Sequence, residues 1–370
     1  MELQMDLSKP YAIALEGGGA KGAYEVGVWK ALVEAGLQYH AVAGTSVGAL
    51  NGAMMVMEEL EKATALWENI RFSQVFAADD VQMKKLYDKD LEGLDIIGLL
   101  KKLVETVKEG GLDVEPLRQL IAEQVDEEKI RQSSKQFFLV TYSLTDKKEL
   151  DIDAKALEDG KLQDMLLASA YVPLFRREKM DGIDYVDGSV YNILPISCLL
   201  DRGYRDIIAV RIYGLGIEKR IRIPEDANII TIAPKEKLGG ILQFDAEQSR
   251  KHLQLGYFDG KRMLYGLAGE RYYIDRQWDE QTAYFALKTL IEQFYEEKIL
   301  TLREMNETFI PRLAKKWKAK EESYYELFLL LLEQNAVLLG IDPFIIRTEE
   351  MFLQEILQAC RERKEKIKFF

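Results

Sequence analysis

Twenty-five of the 26 glycines in this 370-residue chain lie before residue 271, and the last hundred residues hold only Gly340. Strand-turn-helix folds need glycine where the backbone turns sharply or crowds a neighbour, whereas helical bundles need little of it. The distribution predicts an α/β domain over residues 1–265, followed by a helical extension over 266–370.

Within the first part, short β-rich runs alternate with helical patterns. Tyr11–Leu15, Tyr39–Ala43, Phe137–Ser143, Asp206–Tyr213 and Asn228–Ala233 read as buried strands. Ala23–Ala35 and Val47 to about Leu60 read as helices. Continuous apolar runs of this length between helices favour a mostly parallel central sheet covered on both faces. Residues 71–120 read as a helical insertion, with Leu94, Ile97, Leu100, Leu103, Val104 and Val107 at helical spacing. That stripe is either a face packed on the core or a cap over an apolar cleft. In the extension, Tyr324, Leu327, Phe328, Leu331 and Leu332, then Phe352, Ile356 and Leu357, give further helical stripes. The tail Arg361–Phe370 reads as a frayed, solvated end or as an interfacial contact.

Composition excludes several classes. A formal net charge of −12 argues against nucleic acid as the main partner, since phosphate binding needs a basic surface. Two cysteines, Cys198 and Cys360, make neither a disulfide framework nor a zinc site by themselves. The acids show no metal-ligand spacing, and no cofactor is expected. The N-terminus lacks a basic start and an apolar signal core, and no apolar run approaches the roughly 20 residues of a membrane span. The expectation is a cytoplasmic protein, with at most a transient peripheral contact with membranes.

Two glycine motifs carry the chemistry. Gly17-Gly18-Gly19-Ala20-Lys21-Gly22 stands between a strand and a helix. A dinucleotide fold would also want an acid about 20 residues on, but Val42-Ala43-Gly44-Thr45 occupies that place. Unobstructed backbone N–H groups beside a helix N-terminus hold a phosphate, or the oxyanion of an attacked carbonyl. Gly44-Thr45-Ser46-Val47-Gly48 then matches the GxSxG nucleophile elbow, ending an apolar run and beginning a helical one.

A serine needs a base, and histidine is nearly absent. His40 lies six residues before Ser46 on the same expected strand, about 20 Å away at 3.3 Å per residue. His252 lies in the polar helical stretch EQSRKHLQL and is read as solvent-exposed. A carboxylate is the remaining option. Asp181-Gly182 has the signature of a tight hairpin turn, and Asp184 reads as an outward-facing strand residue. Asp187-Gly188 follows the second hairpin strand, where a glycine lets another backbone, such as the serine loop, approach the carboxylate.

The ordered set GGGAKG, GTSVG and DGS resembles the patatin-like phospholipase family. LLASAYVPLF (166–175) is similar to the family's helix-end segment, and DGIDYVDGSVYNILPI to its hairpin leading to the aspartate. The likeness covers residues 11–212, a little over half of the chain. It implies a three-layer α/β/α fold and a Ser-Asp dyad, with Ser46 as nucleophile and Asp187 as general base. Amides around Gly18 and Gly19 would form the oxyanion hole, with Gly17 and Gly22 shaping the loop and Gly44 and Gly48 the elbow. Lys21 takes the family's usual basic position, where it would steady the loop, favour an anionic head group or simply stand exposed. Beside the base, Gly188 fits the pattern while Ser189 departs from the family's Gly or Ala. Glu16 precedes the glycines where other residues are usual and is expected to face away. The implied activity is hydrolysis of lipid acyl esters such as phospholipids or lysophospholipids. An acyltransferase on the same dyad, or an inactive lipid- or partner-binding module, are the alternatives.

Overall fold

The computed structural model describes residues 1–77, 79–81, 83, 111–295, 299–320 and 323–370. They fall into two compact units, Asp6–Lys261 on the one hand and Met1–Met5 with Arg262–Phe370 on the other. The apolar stripe from Leu94 to Val107 lies outside the described residues.

The larger unit is built on a seven-stranded sheet. Its strands are β1 (Tyr11–Leu15), β2 (Tyr39–Thr45), β3 (Gln136–Ser143), β4 (Lys148–Asp153), β5 (Tyr185–Asp187), β6 (Asp206–Val210) and β7 (Asn228–Ile232). Six lie in the order β4-β3-β2-β1-β6-β7, while β5 pairs with β3. The five strands from β3 to β7 in that order are parallel, and only β4 and β5 run antiparallel to β3. The helices are α1 (Ala23–Glu34), α2 (Val47–Val56), α3 (Leu60–Glu68), α4 (Glu115–Gln124), α5 (Glu127–Gln132), α6 (Leu162–Ser169), α7 (Ile196–Leu200) and α8 (Ala246–Tyr265).

Alternation along the strands covers both faces, as a mixed α/β fold with a mostly parallel sheet requires. Ala12, Ala14, Ala41, Ala43, Ile207 and Ala209 share one core cluster with Cys198 and Leu199 of α7. Their alternate neighbours turn to α2, where a Cβ on Gly52 would lie 3.0 Å from Phe137 and 3.1 Å from Val42. The helical pattern from Val47 to about Leu60 divides into α2 and α3, because Glu58 takes a left-handed turn with φ 61°. The Asp181-Gly182 hairpin forms: both residues have positive φ (51° and 79°), and Met180 and Ile183 exchange two 3.0 Å hydrogen bonds.

One detail of the sheet positions the site. β2 pairs with β3 only as far as Thr45 opposite Val140, while β4 occupies the other edge of β3 from Phe138 to Ser143. Beyond Val140 the vacated edge is taken over by β5, with Asp187 opposite Thr141.

The smaller unit carries helices α9 (Glu280–Phe294), α10 (Ile310–Trp317), α11 (Tyr324–Leu338) and α12 (Glu349–Arg363), with two short parallel strands, β8 (Tyr273–Ile274) and β9 (Ile346–Arg347). Its core is apolar, with Leu287, Phe328 and Phe352 fully buried. The buried Glu333 carboxylate accepts the backbone N–H groups of Glu270, Arg271 and Tyr272 at 2.8–3.0 Å. The C-terminal tail is not frayed. Ile367 and Phe369 are buried, the Trp317 indole donates to the Phe369 carbonyl at 3.1 Å, and Asn335 bonds the Lys368 backbone in both directions. Its aromatic and aliphatic side chains outweigh its lysines in deciding where it lies.

Candidate active site

Ser46 follows directly on β2 and caps α2 with φ 56° and ψ −123°, a region that non-glycine residues rarely occupy. Such a conformation costs about 1–3 kcal/mol and persists only where the surroundings enforce it. Here they do. A Cβ on Gly44 would lie 2.2 Å from the Gly48 carbonyl oxygen, and one on Gly48 would lie 2.6 Å from that of Leu15. Both glycines of the elbow therefore permit backbone contacts that no other residue allows.

Asp187 ends β5 and is 4% exposed, against 7% for Ser46. Its Oδ1 accepts the Ser189 N–H at 2.8 Å and the Ser189 hydroxyl at 2.6 Å. Burial pushes the Asp187 carboxyl above the usual carboxylate range, while the Ser189 hydroxyl and the neighbouring Ser46 hydroxyl hold the rise in check. Gly188 matters through β3: a Cβ there would lie 2.4 Å from the Val140 carbonyl oxygen. It is the β3 backbone that approaches at this point.

In the glycine loop, Gly17 leaves room for Ser189, whose Oγ would lie 2.6 Å from a Cβ at that position. Gly19 has φ 57° and its missing Cβ would meet the Ile241 carbonyl oxygen at 2.2 Å, so the loop requires glycine there. The neighbouring amides are engaged, Gly17 N–H with the Ile193 carbonyl and Ala20 N–H with that of Ile241. The Gly18 and Gly19 N–H groups have no protein acceptor among the described residues. Gly22 closes the loop as the N-cap of α1, against the Val47 side chain.

Behind the loop lies a layer of buried polar groups. Lys21 is buried rather than exposed, and its ammonium donates to the Tyr213 carbonyl at 2.5 Å. Glu16 accepts the N–H groups of Ile212 and Tyr213 at 2.6 and 2.8 Å, so its charge is committed to that segment. Glu25 is fully buried and its carboxyl is raised well above the usual range by desolvation. One of its oxygens accepts from Asn51 at 2.8 Å, and Asn51 in turn accepts from the Trp67 indole at 2.9 Å. His252 is 6% exposed, which overturns the reading of it as a surface residue. Burial and the nearby Lys21 charge hold its imidazole down at about 4. His252, Gly256 and Gly260 share one face of α8. The two glycines bring that face against the backbone of α1, which carries the histidine inside.

Ser46, Asp187, Gly18, Gly19 and Ser189 open on one cavity of about 500 Å³. Its wall is otherwise almost wholly apolar, with Met54, Trp67, Phe76, Leu120, Phe175 and Phe244 among the lining residues. Lys21 and His252 do not line it. A cavity of this size and character suits an apolar ligand.

The fold and the corner at Ser46 thus define an α/β protein with a strained strand-to-helix serine over an apolar cavity. Residues 13–200, just over half of the chain, match the family model described as Patatin-like phospholipase. The chain belongs to that family. A stretch of 42 residues is 55% identical to lysophospholipase nte1 of Aspergillus terreus, covering 11% of this chain and 3% of that protein. The chain thus spans only a small part of that relative's length. Among solved structures, VipD from Legionella pneumophila is similar with a TM-score of 0.44 at 15% identity, over 96% of this chain and 87% of that one. The type III effector ExoU of Pseudomonas aeruginosa gives a TM-score of 0.35 at 16% identity, over 95% and 75% of the two chains.

Proposed function

We propose that this protein is a lipid acyl hydrolase working through a Ser46–Asp187 dyad. Asp187 takes the Ser46 proton as the hydroxyl attacks the ester carbonyl. The Gly18 and Gly19 N–H groups donate hydrogen bonds to the developing oxyanion. The tetrahedral intermediate collapses, the alcohol leaves with the proton from Asp187, and an acyl-enzyme remains on Ser46. Water, deprotonated by the same carboxylate, attacks that ester, and the fatty acid departs as Ser46 regains its proton.

One observation carries the reading. A strained serine, a buried carboxylate and two uncommitted amides open on the same apolar cavity. Burial matters chemically as well, since a carboxylate with a raised pKa is a better base near neutral pH. His252, neutral and away from the cavity, takes no part.

The cavity lining supports a fatty acyl chain as the group held, each buried methylene contributing about 0.8 kcal/mol. Exposed apolar side chains continue outward from it: Val190 and Leu215 line the cavity while being 38% and 53% exposed, with Tyr191, Tyr213 and Ile217 also exposed nearby in the chain. Such a rim suits transient contact with a lipid surface. No described helix is long and apolar enough to cross a membrane.

The test is release of fatty acid from lysophospholipid and phospholipid by purified wild type beside Ser46→Ala. Release that vanishes in the variant supports the proposal. Equal release by both, or none from folded wild type, overturns it.

A further inference from the structure

The α6 terminus, Ala168–Tyr171, touches the elbow, β3 and the base strand β5 at four points. The Ser169 hydroxyl accepts the Ser46 N–H at 2.9 Å and donates to the Val140 carbonyl at 2.6 Å. The Ala168 carbonyl accepts the Thr141 hydroxyl at 2.8 Å, and the Tyr171 carbonyl accepts the Asp187 N–H at 2.9 Å. Ser169 is fully buried, and no other partner of its hydroxyl is recorded among the described residues.

The sheet register explains the arrangement. β2 and β3 stay paired only as far as Thr45 opposite Val140, so the Ser46 N–H and the Val140 carbonyl lie where the two strands part. β2 leaves the sheet at that point to form the elbow, which would strand both groups in a dry interior at about 1–3 kcal/mol each. The Ser169 hydroxyl fills the gap and satisfies the two at once. The same four residues hold the base through the Asp187 N–H.

We propose that Ser169 is the positioning residue of the nucleophile: its hydroxyl ties the Ser46 N–H to the β3 carbonyl of Val140 and fixes the strained Ser46 against Asp187. The inference rests on the dyad reading above. Ser169 does not touch substrate; it acts through the Ser46 backbone.

Ser169→Ala removes the bridge. With a water-soluble short-chain ester, kcat falls about a hundredfold, as for a misplaced reacting group, while KM stays within about threefold. The pH profile supplies a readout that loss of packing alone would not move. The Ser46 hydroxyl helps to hold the Asp187 carboxyl down, so a displaced serine shifts the acid limb of kcat to higher pH. A folded Ser169→Ala protein with wild-type kcat and an unmoved acid limb overturns the inference. Should the alanine variant not fold, Ser169→Cys decides, because a thiol fills the site but is a poor acceptor for the Ser46 N–H. Lowered kcat with the shifted limb supports the bridge, and wild-type turnover refutes it. Inert wild type would instead sink the dyad reading itself.

Discussion

Asp187 and Ser46 are brought together by a single edge of β3, on which Thr45 faces Val140 and Asp187 faces the very next residue, Thr141. β2 leaves that edge one residue before β5 takes it over. The proposed nucleophile and base are thus set by strand register, from parts of the chain 141 positions apart (187 − 46).

Asp187→Asn keeps the shape and the Ser189 N–H bond but removes the base. The expected result is a fall in kcat of about a thousandfold, with a thermal transition still cooperative. Steady-state kinetics beside circular dichroism check both parts. An asparagine variant as active as wild type would remove Asp187 from the chemistry.

The pH dependence has a definite sign. The base must be ionised, burial raises its pKa, and activity is therefore lost as pH falls through a value above the ordinary 3.8. Ser189→Ala deletes a hydrogen bond that favours the carboxylate. Its acid limb in kcat/KM is expected at higher pH than that of wild type, and a limb moved downward would contradict the assignment.

Glu25 makes a separate prediction about stability. Its folded pKa is raised well above 4.5 by burial, so its contribution is present in full below 4.5 and is lost as pH rises through the raised value. Glu25→Gln removes that titration. The difference in Tm between variant and wild type is expected to grow in favour of the variant as pH increases. A difference independent of pH would show that Glu25 titrates alike folded and unfolded.

The cavity predicts chain-length selectivity. Leu120 lines it and is nearly buried, so Leu120→Trp shortens the space for an acyl chain. Each pair of methylenes excluded is expected to cost about tenfold in kcat/KM on long-chain esters, with short-chain esters unaffected. Uniform loss across chain lengths would place the acyl group elsewhere.

Much of this was legible in the sequence. β1 and β2 announce themselves as unbroken apolar runs because both faces of the sheet are buried, and the glycines around them mark backbone contacts too close for a side chain. β4 was not legible: Lys148–Asp153 is a partly exposed edge strand whose alternating charges give no apolar run. His252 was misread because its neighbours in sequence are polar, while its burial comes from α8 closing on α1 through glycines four and eight residues on. The tail was misread from its lysines, which stay in water while Ile367 and Phe369 go inside. Ser169 lies in the LLASAYVPLF segment that carries part of the resemblance, but one serine among small residues at a helix end shows nothing of the two backbone groups it joins.

The central claim is that Ser46 is a nucleophile activated by Asp187. Its most direct test is covalent labelling of the purified protein by a fluorophosphonate, with the modified residue located by mass spectrometry. The account predicts an adduct on Ser46 in wild type, none in Ser46→Ala, and a labelling rate sharply reduced in Asp187→Asn. An adduct on another residue, or an Asp187→Asn protein labelled as fast as wild type, would contradict it.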